Sequence, residues 1–367
     1  MKKSNKTKTY GIKYIGSKLK IIPYILEIIN ELDDVHSVLD GFAGTTRVAQ
    51  ALVQKGYSVS VNDISIWSKV FANCFFKANK PNTYYQKFID ELNSLEGKEG
   101  WFTKNYSSDN LQKAPFQKFN LMKLDAIREK IDEYDLDEID KDVLLTSLIF
   151  AFDKVDSTIG HFSSYLSEWS PRSYKPIKLE MPYLFRPKVI VNVFNKDIFD
   201  VVENGSLDLA YFDPPYGSNN EKMPPSRVRY ASYYHIWKTI ILNDEPELFG
   251  SVGRREDSRD LLAGSQFEEF RKNEDGKHIA TEAIYKLALK TNAKYLLFSY
   301  SNGGRATKQE LFEIFNEVGT IIKVVEIDYK KNVMSVMRWT NEWLNSDEKN
   351  IEYLFLVKKD KKIEKSF

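Results

Sequence analysis

The chain has 367 residues, of which 42% are hydrophobic and 29% charged, so a buried core is expected and wholesale disorder is excluded. Lys and Arg number 53 against 52 Asp and Glu, which excludes a globally basic nucleic-acid coat but not a local basic face. The single cysteine, Cys74, excludes a disulfide framework within the chain and a cysteine-rich zinc site. Its helical, apolar neighbourhood predicts that the thiol packs in the core.

No targeting or membrane segment is indicated. The basic start of the chain is not followed by the apolar run of a secretory signal. No stretch approaches the about 20 apolar residues that a membrane helix needs. We therefore expect a soluble, cytoplasmic protein with no membrane association.

The first part of the chain alternates helical and strand patterns. Apolar residues recur at helical spacing over 18–32 and 45–55, and short strands are predicted at 37–39 and 57–61. A strand, a glycine-containing turn, a helix and a second strand form a βαβ unit, which indicates a parallel sheet.

The middle of the chain, about 67–185, loses this rhythm. It is predicted to be helical and aromatic, and it ends in a stretch rich in Ser, Tyr, Pro and basic residues. Acidic runs within it, such as 132–142, are expected to form an outward helix face. The whole region is expected to be an insert between two parts of one α/β domain.

The α/β pattern resumes after about residue 186. Strands are predicted at 189–194, 207–212, 295–299, 320–328 and 351–357, and helices at 308–316 and near 267–290. The expected fold class is α/β, with a doubly wound, Rossmann-like sheet. Residues 1–66 and 186–367 are expected to form this domain, and 67–185 an inserted, mainly helical subdomain.

The strongest local signal is Tyr211-Phe212-Asp213-Pro214-Pro215-Tyr216-Gly217, which follows an apolar strand directly. Ligands of open α/β sheets bind at the carboxyl ends of the strands. Proline removes backbone donors, so the carbonyls before the prolines stay free to accept hydrogen bonds. Asp213 and the Pro214 carbonyl are expected to accept the two hydrogens of a planar amine, while Tyr216 stacks on its ring. A plain proline-rich turn is the alternative.

Three further motifs have features of ligand-binding loops. Val38-Leu39-Asp40-Gly41-Phe42-Ala43-Gly44 places a glycine turn between a strand and a helix, where doubly wound sheets hold nucleosides or phosphates. Asp63 ends the next strand, about 20 residues after Asp40, where such folds bind ribose hydroxyls. Tyr14-Ile15-Gly16-Ser17-Lys18 precedes the first helix. Taken singly, a tight turn or a helix N-cap explains each of them equally well.

In order and spacing, these four motifs resemble those of the Dam-like DNA adenine methyltransferases, which methylate the exocyclic amine of adenine with S-adenosylmethionine. The resemblance covers residues 10–66 and 187–217 well, and the rest only in layout. It implies that the first motif helps to bind the cofactor, that the glycine loop cradles its methionine part, that Asp63 holds the ribose and that Asp197 meets the adenine. The implied cofactor residues are Tyr14, Lys18, Asp40, Gly41, Phe42, Ala43, Gly44, Asp63, Asp197 and Asp213.

The residue types fit this chemistry. Hydrogen bonds from the amine to Asp213 and the Pro214 carbonyl would localise the nitrogen lone pair, which then attacks the sulfonium methyl in line. No metal is expected, because the four histidines are scattered without metal-ligand spacing. A target base in duplex DNA must be flipped out to reach such a site. The expected catalytic residues are Asp213, Pro214, Pro215 and Tyr216.

Candidate DNA contacts mix hydrogen-bond donors, aromatic rings and positive charge. The stretches with this character are 154–178, 222–234 and the arginines 254, 255 and 259. An ordinary solvated loop is the alternative for each of them. The residues predicted to contact DNA are Lys154, Ser157, His161, Arg172, Lys175, Arg227 and Arg229. The resemblance also implies that the insert is the target-recognition subdomain.

The function expected from the sequence is site-specific methylation of adenine in double-stranded DNA. The setting would be a restriction-modification system, with a cognate restriction endonuclease as partner. One alternative is an RNA methyltransferase that acts on an adenine or guanine amine, and another is an inactive nucleic-acid-binding module with the same fold. A protein-glutamine methyltransferase would be expected to carry Asn in place of Asp213.

Overall fold

A central sheet organises the fold of the chain, for which a computed structural model describes residues 7–203, 207–217, 229–329 and 350–359. The strands in chain order are β1 (Ser37–Asp40), β2 (Ser58–Asn62), β3 (Val191–Phe194), β4 (Leu207–Phe212), β5 (Leu248–Phe249), β6 (Arg254–Arg255), β7 (Ala293–Ser301), β8 (Gly319–Tyr329) and β9 (Asn350–Lys359). Seven of them form one sheet in the order β3-β2-β1-β4-β7-β9-β8. Strand β9 is antiparallel to β7 and β8, and the other neighbours are parallel.

Helices connect and cover these strands. They are α1 (Ile22–Asn30), α2 (Arg47–Gln54), α3 (Ile66–Ala72), α4 (Asn82–Ser94), α5 (Trp101–Tyr106), α6 (Lys118–Glu133), α7 (Glu138–Asp153), α8 (Phe199–Val202), α9 (Tyr230–Tyr233), α10 (His235–Leu242), α11 (Asp260–Ala263), α12 (Ile279–Lys290) and α13 (Lys308–Val318). Among the described residues, no helix is both long and apolar enough to cross a bilayer.

The sheet buries both of its faces. Alternate residues of β4 belong to two different apolar clusters, Leu209 and Tyr211 to one, Ala210 and Phe212 to the other. Helices α1, α2, α3, α7 and α10 contribute to the first cluster, and α8, α12 and α13 to the second. Since side chains of a strand point alternately to opposite faces, helices cover the sheet on both sides. The predicted doubly wound α/β fold is confirmed.

The insert is mainly helical, as predicted. The range 67–185, every residue of which is described, holds most of α3 and all of α4 to α7, and none of its residues lies in the sheet. Its apolar side chains share a core with the sheet, because Tyr85, Ile127 and Leu144 belong to the same cluster as Val38 of β1. The division into two domains at these boundaries stays a prediction.

The prediction of an outward helix face at 132–142 is wrong for the last two acids of the stretch, whereas the five acids between 132 and 138 are exposed. Asp140 and Asp142, in the first turns of α7, are buried. Asp140 accepts hydrogen bonds from the Tyr85 hydroxyl at 2.8 Å and from Lys80 Nζ at 2.7 Å, and Asp142 from Asn73 at 2.8 Å. Partners from neighbouring helices offset the cost of burying these carboxylates, and periodicity within one segment does not reveal them.

The predicted helix near 267–290 is wrong over its first half, since α12 covers only the second. The residues before α12 form a turn in which the Asn273 side chain accepts a hydrogen bond from the Lys277 amide at 2.9 Å. Gly276 has φ of +77°, in the left-handed region that favours glycine. Asparagine and glycine together favour a turn over continued helix.

Candidate active site

The two loops with the strongest sequence motifs lie side by side at one edge of the sheet. Strands β1 and β4 are neighbours, and β2 lies on the other side of β1. The connections that follow β1 and β4 therefore run in opposite directions along the sheet. Open α/β sheets bind ligands at such a topological switch point. The loop after β1 contacts β4 through the Gly41 amide, which donates to the Tyr211 carbonyl at 3.0 Å. A Cβ at Gly41 would come within 2.7 Å of the Phe212 ring, so only glycine fits here.

A cavity of about 430 Å³ opens at this edge. That volume is within the range of small-molecule sites, about 300–1,000 Å³. Residues from all four sequence motifs line it, as do several aromatic side chains. The predicted residues along its wall are Tyr14, Lys18, Asp40, Phe42, Ala43, Gly44, Asp63, Asp213 and Pro215.

The glycine loop and the acid after β2 are connected. The Gly44 amide donates to Asp63 Oδ2 at 2.8 Å, and the Ser65 amide donates to Asp63 Oδ1 at 2.8 Å. Burial raises the pKa of Asp63, while these two hydrogen bonds act in the opposite direction. Gly44 has φ of +49°, and a Cβ there would lie 3.2 Å from the Tyr14 ring. The loop backbone, Asp63 and Tyr14 thus form one wall of the cavity.

Asp40, at the end of β1, also lines the cavity. It is 1% exposed, and its Oδ2 accepts a hydrogen bond from the Ala49 amide at 3.0 Å. Burial raises the pKa of Asp40 to about 8. This bond anchors the first turn of α2 behind the glycine loop.

Further aromatic rings line the cavity around Tyr14. The Tyr14 ring lies 4.9 Å from that of Tyr234, 5.5 Å from that of Tyr230 and 5.4 Å from that of Trp67, measured between centroids. The Tyr234 hydroxyl accepts a hydrogen bond from the Ile15 amide at 2.8 Å. From the sequence, the tyrosines of 222–234 are candidate DNA contacts, and no local pattern points to Trp67. Their convergence depends on α3 and α9 meeting beside the first motif.

A buried charged network lies at the loop Asp213-Pro214-Pro215-Tyr216, which we call the catalytic loop after its predicted role. Lys18 Nζ is 2.9 Å from Asp213 Oδ1 and 2.9 Å from Glu352 Oε1. The Tyr216 hydroxyl is hydrogen-bonded to Asp213 Oδ1 and lies 2.5 Å from Glu352 Oε1. Ser299 donates to the same oxygen of Glu352 at 2.5 Å. One ammonium is therefore shared by two carboxylates.

The network determines the charge of the catalytic loop. Burial raises the pKa of Asp213 to about 6, and the Lys18 ammonium limits that rise. For Lys18, burial acts to lower the pKa, but Asp213 and Glu352 outweigh it and raise the pKa. At neutral pH, Asp213 is thus a carboxylate beside a charged lysine.

Glu352 was not identified from the sequence. It stands in the apolar run Ile351-Glu352-Tyr353-Leu354-Phe355, and a lone acid in a buried strand was the available signal. Because β9 is antiparallel, its first residues lie at the edge where β4 and β7 end. Only the sheet order brings Glu352 to the catalytic loop.

Asp197 lies apart from the other predicted cofactor residues. Its side chain is exposed and accepts a hydrogen bond from the Phe199 amide at 2.9 Å, at the start of α8. The cavity is lined instead by Asn195, two residues earlier, which donates to the Asp63 carbonyl at 2.7 Å. Contact between Asp197 and a cofactor adenine stays a prediction.

The residues predicted to contact DNA differ in exposure. Lys154 and Lys175 are exposed. Ser157 and His161 are buried, and the His161 ring stacks on Tyr233 with centroids 4.4 Å apart. Burial lowers the pKa of His161 to about 4, so this ring is neutral at physiological pH.

Of the arginines predicted to contact DNA, one is hydrogen-bonded to the protein backbone and another is buried. Arg172 donates to the backbone carbonyls of Asp156 at 2.7 Å and Thr158 at 2.8 Å. Arg229 is 9% exposed at the start of α9, and Arg227 lies outside the described residues. DNA contact by this set of residues stays a prediction.

Comparisons with known proteins find a matching family model and several relatives. A family model described as "D12 class N6 adenine-specific DNA methyltransferase" matches residues 14–286. The chain is 28% identical to the type II methyltransferase M.FokI of Planomicrobium okeanokoites, with 96% of this chain and 55% of the relative aligned. It is 28% identical to the modification methylase StsI of Streptococcus sanguinis, over 87% of this chain and 48% of the relative.

A third relative has a length close to that of the chain. The type II methyltransferase M.NlaIII of Neisseria lactamica is 26% identical over 95% of this chain and 99% of its own. The chain thus spans about half the length of the first two relatives and nearly all of the third. The family model spans most of the chain and all four motifs. The chain belongs to the D12 class N6 adenine-specific DNA methyltransferase family.

Proposed function

We propose that this chain methylates the exocyclic amine of adenine in double-stranded DNA, using S-adenosylmethionine. The observation that carries the proposal is the state of Asp213 at the ligand edge of the sheet. Its Oδ1 is engaged by Lys18 and Tyr216, whereas its Oδ2 has no hydrogen-bond partner among the described residues. A charged oxygen is thus available to accept a hydrogen bond from a substrate amine.

The cavity suits S-adenosylmethionine. Its volume of about 430 Å³ is adequate for a ligand of that size, and the missing Cβ of Gly44 leaves room beside Tyr14. We assign the loop from Gly41 to Gly44 to the methionine part, Asp63 to the ribose and Asp197 to the adenine. Tyr14 and Lys18 close the same end. When bound, the cofactor supplies an electrophilic methyl group on a sulfonium.

The residues of the catalytic loop prepare the amine. Asp213 Oδ2 and the Pro214 carbonyl accept its two hydrogens, which localises the nitrogen lone pair and directs it away from the ring. Asp213 then takes up the proton that the methylated nitrogen loses and passes it to water. Pro215 fixes the backbone of the loop, and Tyr216 offers a ring for stacking beside it.

The substrate and the partner are proposed from the family and the relatives. The family description names DNA, and we propose its duplex form as the substrate. A base in a duplex reaches a cavity only when it is flipped out. Two relatives are named type II methyltransferases and one a modification methylase. We therefore propose a cognate restriction endonuclease as partner and the cytoplasm as the compartment, with the insert at 67–185 as the target-recognition subdomain.

The proposal is tested by producing the chain in a bacterial host that lacks adenine methylation and sequencing the host genome by a modification-sensitive method. One short methylated motif is expected. Asp213→Ala should leave the motif unmodified, and Asp90→Asn, at an exposed position on α4, should methylate it fully. Unmodified DNA from a chain that binds S-adenosylmethionine would contradict the proposal and favour RNA as substrate or an inactive module.

A further inference from the structure

Glu352 is an unusual residue for its place in the fold. It is 6% exposed, in a strand whose next residues, Tyr353 to Val357, are all buried and apolar apart from the tyrosine hydroxyl. Burying a carboxylate is costly unless several donors satisfy it, and an apolar residue would serve the strand equally well. The packing of β9 therefore does not account for a charge at this position.

The donors around Glu352 point to the catalytic loop. A single oxygen, Glu352 Oε1, accepts hydrogen bonds from Lys18 Nζ at 2.9 Å, from the Tyr216 hydroxyl at 2.5 Å and from the Ser299 hydroxyl at 2.5 Å. Lys18 and Tyr216 are the same two groups that engage Asp213 Oδ1. Glu352 thus competes with Asp213 for both of them.

This sharing sets the net charge of the site. Lys18 alone with Asp213 would form a neutral pair, and its ammonium would be free to turn fully onto that carboxylate. With Glu352 present, one positive and two negative charges leave a net charge of −1. The other titratable groups within electrostatic reach of Asp213 are Tyr14, Asp40, Tyr211 and Tyr230.

We propose that Glu352 is a positioning residue for methyl transfer. It holds Lys18 and the Tyr216 hydroxyl on the Oδ1 side of Asp213, which keeps Oδ2 free for the substrate amine. It also keeps the site negative where the amine nitrogen gains positive charge during the transfer, which favours the transition state. The inference rests on the proposed function of the site.

A pH profile separates this role from mere support of the fold. The negative charge of Glu352 acts to raise the pKa of Asp213. Replacing Glu352 by the uncharged Gln should therefore lower the pKa of Asp213 and move the acidic limb of the kcat profile to lower pH. A purely structural defect would lower kcat at every pH and leave the limb where it is.

The experiment compares wild-type chain, Glu352→Gln and Glu352→Asp between about pH 5 and pH 9. The assay follows labelled methyl transfer from S-adenosylmethionine to genomic DNA of a host without adenine methylation. For Glu352→Gln we expect kcat to fall about tenfold or more, with KM for S-adenosylmethionine nearly unchanged and the acidic limb at lower pH. Glu352→Asp keeps the charge, so its limb should stay at the wild-type position and part of kcat should return.

A matched control is Glu326→Gln on β8, the neighbouring strand. Glu326 is exposed and pairs with Lys308, and it has no contact with the catalytic network. The Glu326→Gln variant should have the wild-type kcat and the wild-type acidic limb of the pH profile. If Glu352→Gln has wild-type kcat, or loses kcat without any movement of the limb, the inference is overturned while the proposed function stands. If the wild-type chain itself transfers no methyl group, both are overturned.

Discussion

Asp213 is subject to opposing effects at the scale of a single side chain. In the proposed mechanism it must be charged to accept the hydrogen of an amine, but burial in the cavity favours its neutral form and raises its pKa to about 6. The Lys18 ammonium at 2.9 Å limits that rise. The Asp213 carboxylate is thus ionised at neutral pH, with its pKa only slightly below that pH.

This pKa predicts the pH dependence of the reaction. Below about pH 6 Asp213 is protonated and no longer accepts strongly, so methyl transfer should rise with pH through this region and level off above it. Single-turnover rates with prebound DNA and S-adenosylmethionine, measured across this range, check the expectation. A rate that stays constant from well below to well above pH 6 would show that ionised Asp213 is not required.

Removal of the Asp213 carboxylate should separate chemistry from binding. Asp213→Ala deletes the acceptor for the amine, so transfer should fall by about 100-fold or more. Lys18 keeps Glu352 as a partner, so the loop should retain its fold. Calorimetric titration with S-adenosylmethionine should give a dissociation constant within a few-fold of wild type. Undiminished transfer by this variant would refute the mechanism.

At the scale of elements, the central strands were predictable because each is a short apolar run bounded by polar residues. Strand β4 lies where the sequence predicts it, at 207–212, and the catalytic loop follows it directly. The glycine loop after β1 and Asp63 after β2 were likewise found from local pattern. Each of these depends on residues that are adjacent in the chain.

The parts of the site that were missed depend on pairing between distant elements. Glu352 reaches Lys18 only because β9 lies antiparallel beside β7, and Trp67 reaches Tyr14 because α3 packs against the first motif. The start of α12 was misjudged because one Asn and one Gly favour a turn over the helical period. Sequence periodicity carries no information on such contacts.

The buried Asp142 of α7 should make stability depend on pH. Burial raises its pKa from 3.8 to about 7, so the folded chain holds this proton more tightly than the unfolded chain. Its contribution to stability is therefore most favourable below about pH 4 and is lost as pH rises through about 7. Asp142→Asn removes this loss and can still accept the hydrogen bond from Asn73.

Thermal melting at pH 5 and pH 8 tests this expectation. The melting temperature of Asp142→Asn, relative to wild type, should be higher at pH 8 than at pH 5. Asp90→Asn, an exposed change on α4, should show no such trend. A difference that is constant or reversed would mean that Asp142 is not held protonated in the folded chain.

At the scale of the whole molecule, a buried carboxylate joins three distant segments. Asp156, at the end of the inserted helices, is 2% exposed and is paired with Lys13, just before Tyr14 of the first motif. Arg172 is 3.1 Å from the same carboxylate. The Asp156 side chain therefore connects the first motif, which lines the cavity, with the region 67–185.

Asp156→Asn removes the carboxylate that pairs with Arg172 and leaves Lys13 only the longer ion pair with Asp153, at 3.9 Å. Because the carboxylate is buried, the free energy of unfolding should fall by about 2 kcal/mol. Asp109→Asn breaks an exposed pair with Lys118 and should cost about 0.5 kcal/mol or less. Urea unfolding of the two variants measures both values. Equal effects would show that Asp156 is no more than a surface partner.

The identity of the methylated base tests the central claim most directly. Purified chain is incubated with labelled S-adenosylmethionine and a mixture of duplex DNA and RNA, and both nucleic acids are digested to nucleosides. The account predicts label in N6-methyldeoxyadenosine alone, and none with Asp213→Ala. Label in methylated cytosine, or in RNA nucleosides only, would contradict it.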